Sequence, residues 1–421
     1  MNRRSFLAAT GGLATTALSA AARAGANDRI RCGIIGIGPR GRDLMDLAMK
    51  NKNVDMVAVC DIIPACVERS KRRIVRAGQK QPDAYGQKGP KDYRRMLERK
   101  DLDAVLVTTP QHLHAEMSVD ALRSAKAVLS EVAAATTMDQ CWALVRAVEE
   151  TGQTYMLSEN VCYFRQAMMI LNMVQQGLFG KSFTYSECGY VHDCRGINFN
   201  PDGSITWRGE MARDHLGNGY PTHAIGPVAQ WIGINKTDRL VSLVSMASKP
   251  FGARYDAIKR FGPDSPQAKT PFKCDSCSTL IKTANGVLIN LRYDISSPQP
   301  YRSTVYATLQ GETASYRSVT NDIWIESKTE GFQWEPIDKY AEQYDHPMWH
   351  DPEKRGGLND VAGGDFLTVR EFFETLRAGR KPPIDVYDAV AWSCIIPLSA
   401  QSIRQGNKLL PIPDFKKHAK A

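Results

Sequence analysis

Two short stretches of this chain hold residues whose types and spacing could do chemistry. The first, Arg31 to Gly41, reads RCGIIGIGPRG and breaks from an apolar run into G-x-G-x-x-G at Gly36, Gly38 and Gly41. Gly36 and Gly38 let a backbone turn sharply and approach a pyrophosphate, while Gly41 lets the following helix pack tightly on the preceding strand. Arg40 lies within the loop and is placed with the cofactor-binding residues. The next apolar run, Val54 to Val59, leads to Asp61, twenty residues beyond Gly41. A carboxylate there accepts hydrogen bonds from adenosine ribose hydroxyls and repels a 2′-phosphate, so the joint pattern predicts NAD in preference to NADP.

The second stretch is Tyr220-Pro221-Thr222-His223. Pro221 suits the first turn of a helix, which sets Tyr220 at its entrance and His223 near the positive end of the helix dipole. A histidine so placed has a lowered tendency to be cationic and is available as a base or neutral donor near pH 7. The same residues equally suit a capping histidine beside a core tyrosine.

The elements that must position these groups follow from the pattern of apolar runs. From Arg31 to about Asn160 short apolar runs alternate with helical ones, the signature of a parallel sheet with helices on its faces. Strands are predicted over Val54 to Val59, Ala104 to Thr108, Ala127 to Ser130 and Thr154 to Leu157, and helices over Arg42 to Lys50, Pro64 to Ala77, Asp92 to Glu98, Val119 to Ser124 and Met138 to Thr151. Residues just past the carboxyl ends of such strands line the ligand crevice, which places Thr109, Gln111 and His114 against the cofactor. Glu131-Val132-Ala133 and Glu159-Asn160 end the next two strands.

Beyond Asn160 the strand-like runs are Phe183 to Tyr190, Leu240 to Ser248, Ser278 to Ala284, Gly286 to Tyr293, Ser303 to Leu309 and Ala314 to Val319, with Asn285-Gly286 as a hairpin turn. They predict a sheet that pairs antiparallel. Helices are expected over Tyr163 to Gly177, Phe366 to Arg377 and Ala389 to Arg404, the last two returning to pack on the first domain. Two long connections, Val191 to Gly219 and Glu326 to Gly364, are candidate site-covering segments. The chain therefore divides into residues 27–160 and 161–421, both α/β, after a leader of residues 1–26.

That leader has no acidic residue, begins Asn2-Arg3-Arg4-Ser5-Phe6-Leu7 and ends in small residues. It resembles a twin-arginine export signal and implies a periplasmic or otherwise exported protein. The 421 residues, 43% apolar and 24% charged, suit a soluble globular chain with two cores. Three of the nine net positive charges sit in the leader and the rest are dispersed, which speaks against a nucleic-acid partner. No segment offers the roughly 18 apolar residues of a membrane span. The ten cysteines lie mostly where small buried side chains are expected, and Cys274 with Cys277 lacks a second zinc-type pair, so no metal is expected.

The glycine loop, Asp61, the turn Thr109-Pro110-Gln111-His112-Leu113-His114 and Glu131 resemble the Gfo/Idh/MocA oxidoreductase family. The resemblance implies an N-terminal Rossmann domain joined to a C-terminal α/β domain with an open, largely antiparallel sheet, whose open face would allow a homo-oligomer. That family's dehydrogenases carry Glu-Lys-Pro where this chain has Glu131-Val132-Ala133, and the lysine helps remove the alcohol proton. Val132 cannot, which makes simple sugar dehydrogenation the alternative reading rather than the leading one.

Within the family the chain is similar to glycoside hydrolase family 109, the NAD-dependent α-N-acetylgalactosaminidases. The similarity rests on Tyr220-Pro221-Thr222-His223 followed by Gly226-Pro227-Val228-Ala229-Gln230, on Glu159-Asn160 with Cys162-Tyr163, on Tyr190-Val191-His192-Asp193, Trp207-Arg208 and Pro300-Tyr301, and on His346-Pro347-Met348-Trp349 and Asp385-Val386-Tyr387-Asp388. It implies that Tyr190, Arg208, Tyr220, Thr222, His223 and Tyr301 bind a sugar, with His223, Tyr220 and Tyr301 handling protons. Asp61, Gln111 to His114, Glu131, Val132 and Asn160 would contact NAD. The implied reaction oxidises the sugar at C3, eliminates the aglycone, adds water and re-reduces, with NAD tightly bound and recycled; NAD-dependent glycosidases are recognised exceptions to the two-carboxylate route. One segment departs from the family pattern: Val361-Ala362-Gly363-Gly364-Asp365 lacks a histidine and is one residue shorter.

Overall fold

Six parallel strands form the first sheet of the computed structural model, which describes residues 29–299 and 305–418. They are β1 (Ile30–Ile35), β2 (Val54–Cys60), β3 (Asp83–Tyr85), β4 (Ala104–Val107), β5 (Ala127–Ser130) and β6 (Tyr155–Leu157), in the order β3-β2-β1-β4-β5-β6. Helices cover both faces, so β4 and β5 are buried at every residue and read as unbroken apolar runs rather than alternating ones. The strand order reverses between β1 and β4, which puts the ligand crevice above those two strands. Strand β3 escapes sequence reading because three residues carry no period.

The second sheet contains β7 (Phe183–Val191), β8 (Leu240–Ala247), β9 (Ser276–Thr283), β10 (Leu288–Asp294), β11 (Val305–Gly311), β12 (Ala314–Arg317), β13 (Asp322–Ile325), β14 (Glu335–Pro336) and β15 (Leu410–Pro411). Their order is β14-β13-β12-β11-β7-β10-β9-β8-β15, open at both ends. Every pairing is antiparallel except β7 with β10, so the sheet is largely antiparallel, as expected, with one parallel pair inside it. Burial alternates along β9, with one face on the helices and the other in solvent, where Met246, Leu280 and Leu288 are exposed.

The predicted helix over Ala389 to Arg404 is broken at Cys394 into Val386–Ser393 and Ile395–Arg404. Pro397 explains the break, because its ring excludes a helical carbonyl four residues back and it has no N–H to donate. Of the two long connections, the first contains a helix at Trp207–Asp214, and the second carries short helices and the start of a long one, Asp360–Ala378. The helix Gly252–Phe261 was not anticipated.

The last helices return to the first domain. Strand β6 ends its sheet, and the backbone N–H of Leu157 on that edge donates to Ile384 O at 3.2 Å. Nearby Ala134 N donates to Ser393 Oγ at 3.0 Å, and the Asp360–Ala378 helix packs on Pro39–Met49, the helix that opens at the glycine loop. One cluster of buried apolar side chains therefore runs through both sheets.

Candidate active site

The glycine loop closes as its spacing requires. Gly36 has φ +86°, and a Cβ there would lie 2.8 Å from Thr109 N; a Cβ on Gly41 would lie 2.2 Å from Gly36 O. A Cβ on Gly38 would meet nothing within 4 Å, so the backbone at this helix N-terminus faces open space where an anion can approach. Asp61 follows β2 and accepts from Ile37 N at 2.6 Å and from Ile63 N at 2.8 Å, which ties the loop to the ribose position.

Beyond β4, Gln111 is buried and its Nε2 donates to Gly219 O at 3.1 Å, joining the two domains. His114, expected to face the cofactor, is turned inward: Nδ1 lies 2.9 Å from Ala133 O and Nε2 2.7 Å from Thr109 O. Burial lowers its pKa against the opposing pull of those carbonyls. Its ring therefore holds the loops after β4 and β5 in register and offers the crevice no polar atom. Thr109 packs its methyl group at Gly36 and its hydroxyl 3.5 Å from Met117 Sδ.

The residues present suit a dinucleotide on an independent ground. Gln111 Oε1 and Asn160 Oδ1 are buried without a hydrogen-bond partner among the described residues. An unpaired buried polar atom costs about 1–3 kcal/mol, which a ligand's hydroxyl or amide donors would recover.

Across the crevice, Pro221 precedes the helix Thr222–Trp231, which carries His223 in its first turn as its sequence predicts. His223 Nδ1 lies 2.7 Å from Glu159 Oε1 at the end of β6; Glu159 is fully buried, while 17% of the His223 side-chain surface remains exposed. The expectation of a histidine with a lowered tendency to be cationic is corrected here. Burial opposes the charge, but the Glu159 carboxylate, through its charge and its hydrogen bond, and the more distant Glu131 outweigh burial and hold the His223 pKa above its ordinary value. The helix dipole loses because a carboxylate in contact is the stronger field.

Two tyrosine rings pack around this pair. Tyr220 meets His223 edge-on at 4.9 Å between ring centroids, and Tyr190 lies 5.6 Å from His223 and 5.3 Å from Tyr220. Burial pushes the Tyr220 hydroxyl pKa well up, so it remains a proton donor. His223, Tyr190 and Asn160 line a cavity of about 550 Å³ that runs between the helices and the inner face of β7, β11 and β12 past Trp231 and Tyr316. Thr222, fully buried with an unpartnered hydroxyl, does not line it. Arg208 stands apart on an exposed helix face, its guanidinium 4.2 Å from the Trp207 ring centroid. Tyr301 lies outside the described residues.

Two site residues escaped assignment from sequence. Glu159 ends a strand in the position where crevice residues occur, a signal that was present but tied to no role. Asp365 had no such signal. It accepts from Arg40 Nη1 at 2.8 Å, Arg40 Nη2 at 2.9 Å and Asn160 Nδ2 at 2.7 Å, while Arg40 Nε donates to Glu131 Oε1 at 2.8 Å. Burial works against the Arg40 cation and the two carboxylates more than offset it, so the group stays charged. Val132 is buried beside Glu131, whose second oxygen accepts from Val132 N at 3.1 Å.

Residues 30–159 match the family described as "Oxidoreductase family, NAD-binding Rossmann fold", and residues 163–420 match "Glycosyl hydrolase 109, C-terminal domain". A glycosyl hydrolase family 109 protein of Stenotrophomonas maltophilia is 36% identical, over 99% of this chain and 95% of its own. An α-N-acetylgalactosaminidase of Tannerella forsythia is 32% identical, over 92% of this chain and 86% of its own. A levoglucosan dehydrogenase in complex with NADH superposes with a TM-score of 0.69 over 92% of this chain and all of its own, at 16% identity, a likeness of fold. With both domains matched and the likeness to its relatives running nearly end to end, the chain belongs to glycoside hydrolase family 109 and is an NAD-binding glycoside hydrolase.

Proposed function

We propose that this enzyme hydrolyses α-linked N-acetylgalactosamine or a closely related sugar through transient oxidation at C3, and that its NAD stays bound and is recycled at every turnover. The observation that carries the reading is the Glu159–His223 pair, 2.7 Å apart and packed against Tyr220 and Tyr190, with His223 and Tyr190 lining a cavity of a size to hold a glycoside. Bound NAD would supply the hydride acceptor at the start of the cycle and the donor at its end, with the C3 hydroxyl proton passing to water in the open cavity and returning from it on re-reduction.

This chain's own residues handle position and protons. With Nδ1 held by Glu159, the imidazole presents Nε2 to the sugar. Once C3 is a ketone the C2 proton is acidic; Nε2 takes it, the C2–H electron pair forms the C1–C2 double bond, and the C1–O bond breaks. The Tyr220 hydroxyl, kept protonated by burial, donates toward the departing or ketone oxygen, with Tyr301 as the second candidate. Water then adds at C1 and His223 returns the proton to C2. Tyr190, which lines the cavity, is assigned to the sugar, Arg208 and Thr222 are assigned to it on the family resemblance alone, and Asp61, Thr109, Gln111, Glu131, Val132 and Asn160 are assigned to the dinucleotide. The leaving group extends along the cavity past Trp231 and Tyr316.

The test is turnover of an aryl α-N-acetylgalactosaminide in heavy water with no added NAD. Aglycone release with deuterium at C2 and no accumulation of NADH supports the scheme. Steady NADH formation without aglycone release would instead establish a sugar dehydrogenase, a reading that the aliphatic Val132 disfavours. Export by the twin-arginine route to the periplasm rests on the leader residues, which lie outside the described residues. Assembly of two copies through the open sheet face rests on exposed Met246, Leu280 and Leu288.

A further inference from the structure

We infer that Asp365 is a cofactor-positioning residue, through which the second domain sets how fast the dinucleotide leaves; this rests on the NAD-retaining reading above. Arg40, Glu131 and Asn160 come from the glycine loop and from the ends of β5 and β6, three separate parts of the first domain. One carboxylate from a helix 325 residues away in sequence from Arg40 holds two of them directly and the third through Arg40. Both guanidinium Nη atoms meet Asp365 in the two-pronged geometry that fixes an arginine's plane as well as its position.

The effect on Asn160 is more specific. A carboxylate only accepts, so Asp365 compels the Asn160 amide to present Nδ2 to it and to leave Oδ1 toward the crevice. That Oδ1 is buried and has no partner among the described residues. Asp365 thereby makes Asn160 an acceptor for a ligand's hydroxyl or amide N–H, and it holds Arg40 and Glu131 in place beside it. A mere staple between domains would not need to orient an amide whose other end is left unpaired.

The local sequence is built for this approach. A Cβ on Gly364 would lie 2.6 Å from Phe164 Cδ1 and 3.4 Å from Asn160 O, and one on Gly363 would lie 2.8 Å from the Trp349 ring and 3.0 Å from Leu358 O. Two glycines thus let the helix turn that carries Asp365 come down onto the Asn160 turn.

The test uses the full chain stripped of nucleotide and reloaded with NADH, following release by the change in nicotinamide fluorescence, with unfolding temperatures measured empty and loaded. Asp365→Asn should speed NADH release roughly tenfold or more, the size expected for losing hydrogen bonds to a charged group. It should also shrink the rise in unfolding temperature that NADH gives, which a purely structural contact would leave unchanged. In an Asn160→Ala background the same substitution should cost much less, since its effect on release runs chiefly through the Asn160 amide. Gly364→Ala, which leaves the carboxylate in place but lifts the helix, should speed release in the same direction. Release from Asp365→Asn within twofold of wild type, or an equal cost in both backgrounds, overturns the assignment. Wild-type protein that takes up no NADH overturns the underlying reading as well.

Discussion

Replacing Glu159 by Gln keeps the shape of the pair with His223 and removes its charge. The amide oxygen can still accept from Nδ1, so what is lost is the difference between a hydrogen bond to a carboxylate and one to a neutral acceptor, about 1–2 kcal/mol in the step where His223 becomes a cation. That corresponds to a rate roughly five- to thirtyfold lower. The direction of the pH dependence is fixed by the same contact. Burial alone would lower the His223 pKa, and Glu159 is the chief reason that it is raised. A base must be neutral to take the C2 proton, so in the wild type the rate should climb with pH through a value above 6.5, and in Glu159→Gln that acid limb should move to lower pH. Stability carries the matching sign. A histidine whose folded pKa is raised contributes stability that is fully present below its unfolded value and is lost as pH rises through the folded one. The stability difference between wild type and Glu159→Gln should therefore be largest below about pH 6.5 and narrow above it. Initial rates of aryl-glycoside release from pH 5 to 9, with urea unfolding over the same range, read both effects. An acid limb that stays put or moves upward would refute the claim that Glu159 sets the basicity of His223.

His223→Ala should lower aglycone release by about 10²–10⁴-fold and slow deuterium entry at C2 in parallel, with NAD still bound; mass spectrometry of the released sugar and of the nucleotide checks both. Asp61→Ala should weaken NAD binding more than NADP binding, because the carboxylate that favours one ribose repels the other's phosphate, and paired titrations would show it. Replacing Arg3 and Arg4 by Lys should trap the precursor in the cytoplasm, as seen by fractionating cells.

The first domain was legible because its signals are local: strand ends, glycine spacing and Asp61 all lie within one stretch whose pattern repeats. Thr222–Trp231 was legible for the same reason, since Pro221 marks a helix start wherever it occurs in such a run. The parallel pairing of β7 with β10 was not, because it depends on which distant strands meet rather than on what either contains. The charge state of His223 failed for a related reason. The helix dipole could be inferred from its own segment, but the opposing carboxylate comes from Glu159, 64 residues earlier, and only the fold shows that they touch. Asp365 lay in the segment where the chain departs from its family's pattern, which marked the place without revealing the partner. His114 shows the converse, a residue at the right strand end whose ring the backbone carbonyls of Thr109 and Ala133 claim first.

The hydrogen bond from Leu157 to Ile384 has a bearing on the order in which the protein is made. The first domain leaves the ribosome complete in sequence but with an open sheet edge at β6, and its cover is translated more than two hundred residues later. Until then the nascent chain presents unpaired backbone groups of the kind that attract other strands, a hazard for any slow or stalled synthesis. A fragment ending at Asn160 should accordingly be prone to aggregate, and co-expressing the remaining segment as a separate chain should rescue its solubility. The two domains are thus successive in the gene yet finish folding together.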